Sequence, residues 1–176
     1  MKRIAFLMGT AVVGLATLTA CGGAAGAAAP APQSTPSQSA PASTGAAGLS
    51  TATVGNLGQV VVDGTGRTLY VFGLDTTKPS MSNCNGSCAA QWPPVPAGTG
   101  TPKVSGVAAS LVGTVTRSDG SKQLTLAGAP LYYFASDTKA GDANGQDLQA
   151  FGATWWVVGA NGQKITTPVA SNNSGY

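Results

Sequence analysis

Residues 69–75 read LYVFGLD and residues 131–137 read LYYFASD, so one pattern of Leu, Tyr, aromatic and Asp residues occurs twice, 62 positions apart. A Trp follows each copy at a similar distance, Trp92 after the first and Trp155 after the second. Self-similarity at a fixed interval indicates repeated units, each too small to bury its own apolar face. We therefore predict a domain of two related halves, at about residues 55–105 and 106–166, packed against each other.

The segments around both copies alternate between short apolar runs and turns rich in Gly, Asp and Asn. Such runs joined by such turns are typical of antiparallel hairpins. Hairpins are predicted at 59–72, 111–127 and 155–166, with a further strand at 130–134 and one short helical turn after Cys88. The fold class predicted is all-β, a small antiparallel sandwich or barrel built from two sequence-related halves.

The motif aromatics are predicted to share one face of their strands. Side chains two residues apart on a strand point the same way, which pairs Tyr70 with Phe72 and Tyr132 with Phe134. The favoured interpretation is a common core, with Trp92 and Trp155 included and the phenols hydrogen-bonded. The alternative is an aromatic groove that binds a glycan or a quinone-like ligand.

The motif aspartates, Asp75 and Asp137, stand where their strands end. An Asp at such a position commonly closes a turn by accepting hydrogen bonds from backbone N–H groups. On this interpretation, the two aspartates have a structural role. A hydrolase would instead need the two carboxyl groups several Å apart across the two halves, as in paired-carboxylate enzymes.

The N-terminus has the pattern of an export signal. Lys2 and Arg3 precede an apolar run, residues 4–20, that has no charge and ends in LTA before Cys21. This order predicts a signal peptide at residues 1–20. Residues 18–21, Leu-Thr-Ala-Cys, resemble the bacterial lipobox. This resemblance implies cleavage before Cys21 and a lipid on the sulfur of Cys21. Acyl chains attached there would hold the protein on the outer face of a membrane.

The composition after this point predicts a tether, a domain and a tail. Residues 21–52 are nearly all Ala, Pro, Ser, Gly, Thr and Gln, which bury too little apolar surface to fold. We predict a lipidated Cys and a disordered linker there, an all-β domain at 53–168 and a flexible tail at 169–176.

Charge and composition exclude several function classes. Cleavage would remove Lys2 and Arg3, so the formal net charge falls from +3 to +1 and no basic surface for nucleic acid is expected. The chain has no His and no Glu, and all six acids are Asp. The most frequent general base is therefore missing. A non-enzymatic protein without a cofactor is predicted, with a protein or glycan partner that the sequence does not specify.

Two cysteines leave two interpretations open. Cys84 and Cys88 are separated by Asn-Gly-Ser, and paired cysteines in exported domains usually form disulfides. The alternative is an extracytoplasmic redox or copper-handling site, because Met81 lies three residues before Cys84 and soft sulfur ligands suit Cu(I).

The duplicated Tyr-x-aromatic-x-x-Asp motif, the Cys-x-x-x-Cys pair and the Trp-Pro-Pro at residues 92–94 together resemble the bacterial secreted-repeat lipoproteins. The resemblance covers roughly residues 55–160, although the second copy lacks the Cys pair and the Pro-Pro. It implies a cell-envelope lipoprotein, and the family brings no known activity.

Overall fold

The computed structural model describes residues 48–168. The predicted signal peptide, Cys21, the linker up to residue 47 and the tail at 169–176 lie outside the described residues. The strands are β1 (Gly48–Thr53), β2 (Gln59–Asp63), β3 (Tyr70–Phe72), β4 (Thr76–Thr77), β5 (Ser80–Met81), β6 (Lys103–Val104), β7 (Val112–Thr116), β8 (Lys122–Leu126), β9 (Ala129–Pro130), β10 (Leu148–Ala150) and β11 (Ala153–Val157). The helical elements of this range are α1 (Ser87–Gln91) and two 3-10 turns, Gly55–Leu57 and Ala109–Leu111. The predicted all-β class is confirmed.

Four segments lie side by side in the middle of the domain. β11 pairs antiparallel with β3, and β3 contacts the second motif strand through a bridge between Tyr70 and Tyr132. That second strand contacts the segment around Pro94 through a bridge to Tyr132. The motif strands of the two repeats are therefore neighbours, and each is flanked by the Trp-bearing segment of the other repeat.

The two repeats are related by an approximate twofold axis that passes between the motif tyrosines. The N–H of Gly73 donates to the carbonyl of Thr154 at 3.0 Å, and the N–H of Ala135 donates to the carbonyl of Gln91 at the same distance. These two bonds occupy equivalent places in the two repeats and both cross from one repeat to the other. The prediction of two related halves is confirmed, and the halves exchange strand contacts.

The alternation of side chains along these segments produces two cores, one on each face of the central layer. The first core is mostly aromatic and comprises Val54, Leu57, Val60, Val62, Tyr70, Phe72, Cys84, Cys88, Trp92, Tyr132, Phe134, Trp155 and Val157. The second core is mostly aliphatic and comprises Leu49, Val61, Leu69, Val71, Val95, Ala97, Val107, Leu124, Leu126, Leu131 and Val158.

The first strand begins earlier than predicted. β1 starts at Gly48, inside the segment 21–52 that was interpreted as linker. Its residues are small and polar except for the buried Leu49, and β1 is held by backbone pairing with β2 and β6. Backbone hydrogen bonds do not require particular side chains, so the amino-acid composition of residues 48–53 did not predict this strand.

The predicted hairpins are observed with one difference. β7 and β8 pair along their whole length, and Val158 bridges Lys164 in the last hairpin. The first hairpin is present only near its turn, where Val62 bridges Thr68. Beyond that point β3 pairs with β11 and not with β2, because the motif strand belongs to the contact between the repeats.

Candidate functional site

The two motif tyrosines are paired across the centre of the molecule. Tyr70 and Tyr132 exchange both backbone hydrogen bonds, each at 2.9 Å. Directly opposed residues of an antiparallel pair project their side chains to the same face. Both rings are fully buried in the aromatic core, so the repeated motif residues are brought together.

Each tyrosine hydroxyl donates to the aspartate of the other repeat. The Tyr70 hydroxyl donates to Oδ2 of Asp137 at 2.6 Å, and the Tyr132 hydroxyl donates to Oδ2 of Asp75 at 2.6 Å. Short hydrogen bonds to a carboxylate are among the stronger ones in proteins. The duplicated Tyr and Asp are therefore reciprocal partners between repeats.

The second oxygen of each aspartate holds a loop. Oδ1 of Asp75 accepts from the backbone N–H of Asn83 at 2.7 Å, and Oδ1 of Asp137 accepts from that of Asn144 at 3.0 Å. Each aspartate thus accepts a backbone N–H. The asparagines were missed by sequence reasoning, although each follows its motif Asp by seven or eight residues, and that recurrence was the available signal.

Four aromatic rings form a continuous stack, here called the aromatic column, in the order Phe72, Trp155, Trp92 and Phe134. The ring centroids of Trp92 and Trp155 are 3.8 Å apart with an interplanar angle of 2°. Each outer Phe stacks on a Trp at 4.2 Å. The members of the column alternate between the repeats.

The tyrosines meet the column edge-on. Tyr70 lies 5.3 Å from Trp92, and Tyr132 lies 5.1 Å from Trp155, both nearly perpendicular. Edge-to-face geometry places the positive edge of one ring against the negative face of the other. All the motif aromatics and both Trp residues therefore occupy one buried cluster, and the described structure has no open groove formed by them.

Burial raises the pKa values of Asp75, Tyr70 and Tyr132. Burial raises the pKa of Asp75 to about 6, against the lowering effect of the hydrogen bonds from Tyr132 and Asn83 and of the charge on Arg117. Burial, together with the neighbouring Asp carboxylates, raises the pKa values of Tyr70 and Tyr132 well above 10. Both phenols are therefore neutral donors at physiological pH.

A buried arginine extends the pair formed by Tyr132 and Asp75. Nη1 of Arg117 donates to Oγ of Ser82 at 2.6 Å, and Oγ of Ser82 is 2.7 Å from the Tyr132 hydroxyl. Nη2 of Arg117 donates to the carbonyl of Cys84 at 2.5 Å. A chain of hydrogen bonds thus runs from Arg117 to Asp75. Sequence reasoning missed these residues because the sequence does not distinguish a buried Arg that follows a strand from an exposed one.

The cysteines are joined. Cys84 and Cys88 form a disulfide, with both residues buried beside the aromatic core. In this state neither sulfur offers a thiolate to copper, and Met81 lies on β5 with half of its side chain exposed. Within residues 48–168, no cluster of three or more His, Cys, Asp or Glu side chains is positioned to hold a metal ion.

The rest of the described surface offers a shallow concavity of about 380 Å³, lined mainly by residues at the start of β1 and around β6. Its lining is mostly apolar and includes one charged residue, Lys103. In the described part of the chain, the large hydrophobic residues that remain exposed are Leu74, Met81 and Phe151.

The comparisons with known proteins agree with this two-repeat arrangement. The family model described as a secreted repeat of unknown function matches residues 51–96 and 113–159, which together make up slightly more than half of the chain. The chain belongs to this secreted-repeat family. No curated protein and no solved structure shows significant similarity.

Each match to the secreted-repeat family contains one motif and one half of the domain, and the first starts within β1. As a member of a secreted family, the protein is extracytoplasmic. Between residues 48 and 168, no helix is long and apolar enough to cross a membrane.

Proposed function

We propose that this secreted-repeat protein is a cell-envelope lipoprotein, fixed to the outer face of the membrane through Cys21. The proposal further gives its domain a non-enzymatic binding or structural role. The anchor is supported by the order of charged, apolar and small residues before Cys21. A domain on such an anchor acts near the membrane surface, at a distance limited by the length of the segment between residues 21 and 48.

The non-enzymatic role is supported mainly by one observation, which is that the duplicated motif side chains lie inside the contact between repeats. Tyr70, Asp137, Tyr132 and Asp75 bind each other and nearby backbone groups. Side chains engaged in this way build the fold. A partner would then bind elsewhere on the surface.

The anchor can be tested by growing cells with an alkyne-bearing fatty acid and labelling the protein in the membrane fraction. Attachment at Cys21 predicts a labelled, membrane-bound protein, and the variant Cys21→Ala should be unlabelled. Equal labelling of both proteins would contradict the anchor.

The core role of the motif can be tested separately through tryptophan fluorescence. In a Trp156→Phe background, which removes the partly exposed third Trp, the emission comes from Trp92 and Trp155. Both are buried in the aromatic column, so neither cell-wall glycan fragments nor a short-chain quinone should change this emission. Saturable quenching by either ligand would favour the aromatic groove over the core.

The copper alternative requires free thiolates at Cys84 and Cys88. Blocking thiols at once in protein taken from the membrane, then weighing the peptides and assaying copper, separates the two proposals. A linked pair without copper supports the structural role, whereas two blocked thiols or about one copper per chain supports the redox alternative.

A further inference from the structure

We propose that the aromatic column and its two tyrosines form a one-electron redox site, in which the domain holds an oxidising equivalent as a neutral radical on Tyr70 or Tyr132. This inference concerns the buried cluster and does not depend on the lipid anchor. It gives a further activity to residues whose structural role is described above.

The first argument is the geometry of the column. The rings of Trp92 and Trp155 are parallel within 2° and their centroids are 3.8 Å apart, so their π systems are stacked face to face. Removal of an electron from such a pair leaves a positive charge shared by two rings. Phe72 and Phe134 cover the outer faces at 4.2 Å and exclude water from the pair.

The second argument is the placement of proton acceptors. The indole N–H groups of Trp92 and Trp155 are buried and make no hydrogen bond to any of residues 48–168. An oxidised indole in this site therefore has nowhere to deliver its proton. Each neighbouring phenol, in contrast, is 2.6 Å from a carboxylate oxygen. Loss of an electron is completed most easily where the proton can leave, which is at tyrosine.

The step balances as follows for Tyr132. An indole of the column gives one electron to an oxidant at the surface, for example a peroxyl radical, which becomes a peroxide anion. Tyr132 then gives one electron back to the indole while its hydroxyl proton passes to Asp75. The products are a neutral tyrosyl radical and a neutral carboxylic acid. A hydroquinone then gives one electron to the radical and one proton to solvent and leaves as a semiquinone. The phenol is restored when Asp75 returns its proton, and the proton released to solvent balances the one that the peroxide anion takes up.

The same step operates at Tyr70 with Asp137 as the acceptor. Both tyrosines are fully buried, which separates a radical from solvent and from other protein molecules. Phe72 and Phe134, at the two ends of the column, each keep 5% of their surface exposed, so the column is accessible to electron transfer from the surface.

The experiment uses the full mature chain with its disulfide intact and photogenerated ruthenium(III) tris-bipyridine as the oxidant. Electron paramagnetic resonance of samples frozen after the flash, with and without ring-deuterated tyrosine, identifies the radical. The chain has four tyrosines; of the other two, Tyr133 packs against the aliphatic core and Tyr176 is not among the described residues. The decisive variant is therefore Tyr133→Phe with Tyr176→Phe.

We expect this surface variant to keep most of the tyrosyl signal of the unchanged protein. Loss of the signal, or a signal from Trp alone, would overturn the proposal. Because the variant leaves the aromatic core unchanged, it decides the question even if variants of that core fail to fold.

The complementary variant is Tyr70→Phe with Tyr132→Phe, with near-ultraviolet circular dichroism as the check of folding. A folded core variant should lose the tyrosyl signal of the cluster and show a short-lived indole radical. An undiminished tyrosyl signal in this folded variant would equally overturn the proposal.

Discussion

A single hydroxyl joins the two repeats at each side of the approximate twofold axis. The Tyr70 hydroxyl reaches Asp137 and also accepts the N–H of Gly145 at 3.3 Å. Tyr70→Phe removes both bonds and leaves the buried carboxylate of Asp137 without its shortest hydrogen bond. Hydrogen bonds to charged groups contribute about 1.5–3 kcal/mol, so we expect a loss of that size in the free energy of unfolding, measured with urea.

The comparison variant is Tyr133→Phe, because the Tyr133 phenol also interacts with a carboxylate of the other repeat, that of Asp63, but at a partly buried site beside Arg67. It should lose clearly less stability than Tyr70→Phe. Equal losses would mean that burial of the Tyr70–Asp137 hydrogen bond adds nothing to its contribution to stability.

Gly145 leaves no room for a side chain. A Cβ at this position would lie 2.6 Å from Cη2 of Trp92 and 3.0 Å from Cε1 of Tyr70, closer than real contacts allow. Overpacking of a tight core costs about 1–3 kcal/mol, so Gly145→Ala should lower the urea midpoint accordingly. Gly64→Ala is the control, since nothing lies within 4 Å there, and its midpoint should change little.

Asp75 should make stability depend on pH. Its pKa of about 6 in the folded protein exceeds the ordinary value of 3.8, so the folded state binds more protons between about pH 4 and 6. The free energy of unfolding should therefore fall as pH rises through this window, by roughly 1–3 kcal/mol. Asp75→Asn should abolish this component of the slope, whatever its absolute stability, and an unchanged slope would contradict the assignment.

At this scale the sequence predicted which residues form the core but not how they bind each other. The two-residue alternation of strand side chains placed Tyr70 and Phe72 on one face, and the repeated motif placed Tyr132 and Phe134 in the same way. The pairing of each Tyr with the Asp of the other repeat depends on which strands are neighbours. The alternation of side chains along a single strand does not determine this order. The burial of Arg117 depends on the loop that covers it.

At the scale of elements, the loop between Asp75 and Trp92 is held from two sides. The disulfide closes residues 84–88, and Arg117 binds the carbonyl of Cys84 from the second repeat. Closing so short a ring stabilises by about 2 kcal/mol through the entropy of the unfolded chain.

Reduction with a phosphine should therefore lower stability by up to this amount while the chain stays folded, because Arg117 still holds the loop. Urea unfolding with and without reductant measures the change. The variant Cys84→Ala with Cys88→Ala should not respond to reductant, and complete unfolding of the reduced chain would show that Arg117 cannot hold the loop alone.

The strands differ in how well they can be predicted from their sequences. β7 and β8 were predictable because apolar residues flank an Asp-Gly turn and the pair is local. β1 was not, because it contains one buried apolar residue and is specified by the backbone groups of β2 and β6.

At the scale of the whole molecule, the two repeats form one folding unit. The strand pairs of the central layer, the stacking of Phe72 on Trp155 and the hydrogen bonds of both motif tyrosines all cross between repeats. A repeat alone would expose half of both cores. The connection at residues 98–100 is exposed and takes no part in these contacts.

A chain cut at this connection, through a protease site inserted at residue 99, should therefore remain a one-to-one complex of two fragments. The cut protein should elute at the volume of the intact protein in size-exclusion chromatography. Its unfolding should become concentration-dependent, because separation now releases two molecules. The same cut in the Tyr70→Phe and Tyr132→Phe background should release fragments at higher protein concentration, since the hydrogen bonds between repeats are lost. Fragments that separate equally in both backgrounds, or that fold alone, would show that each repeat is an independent unit.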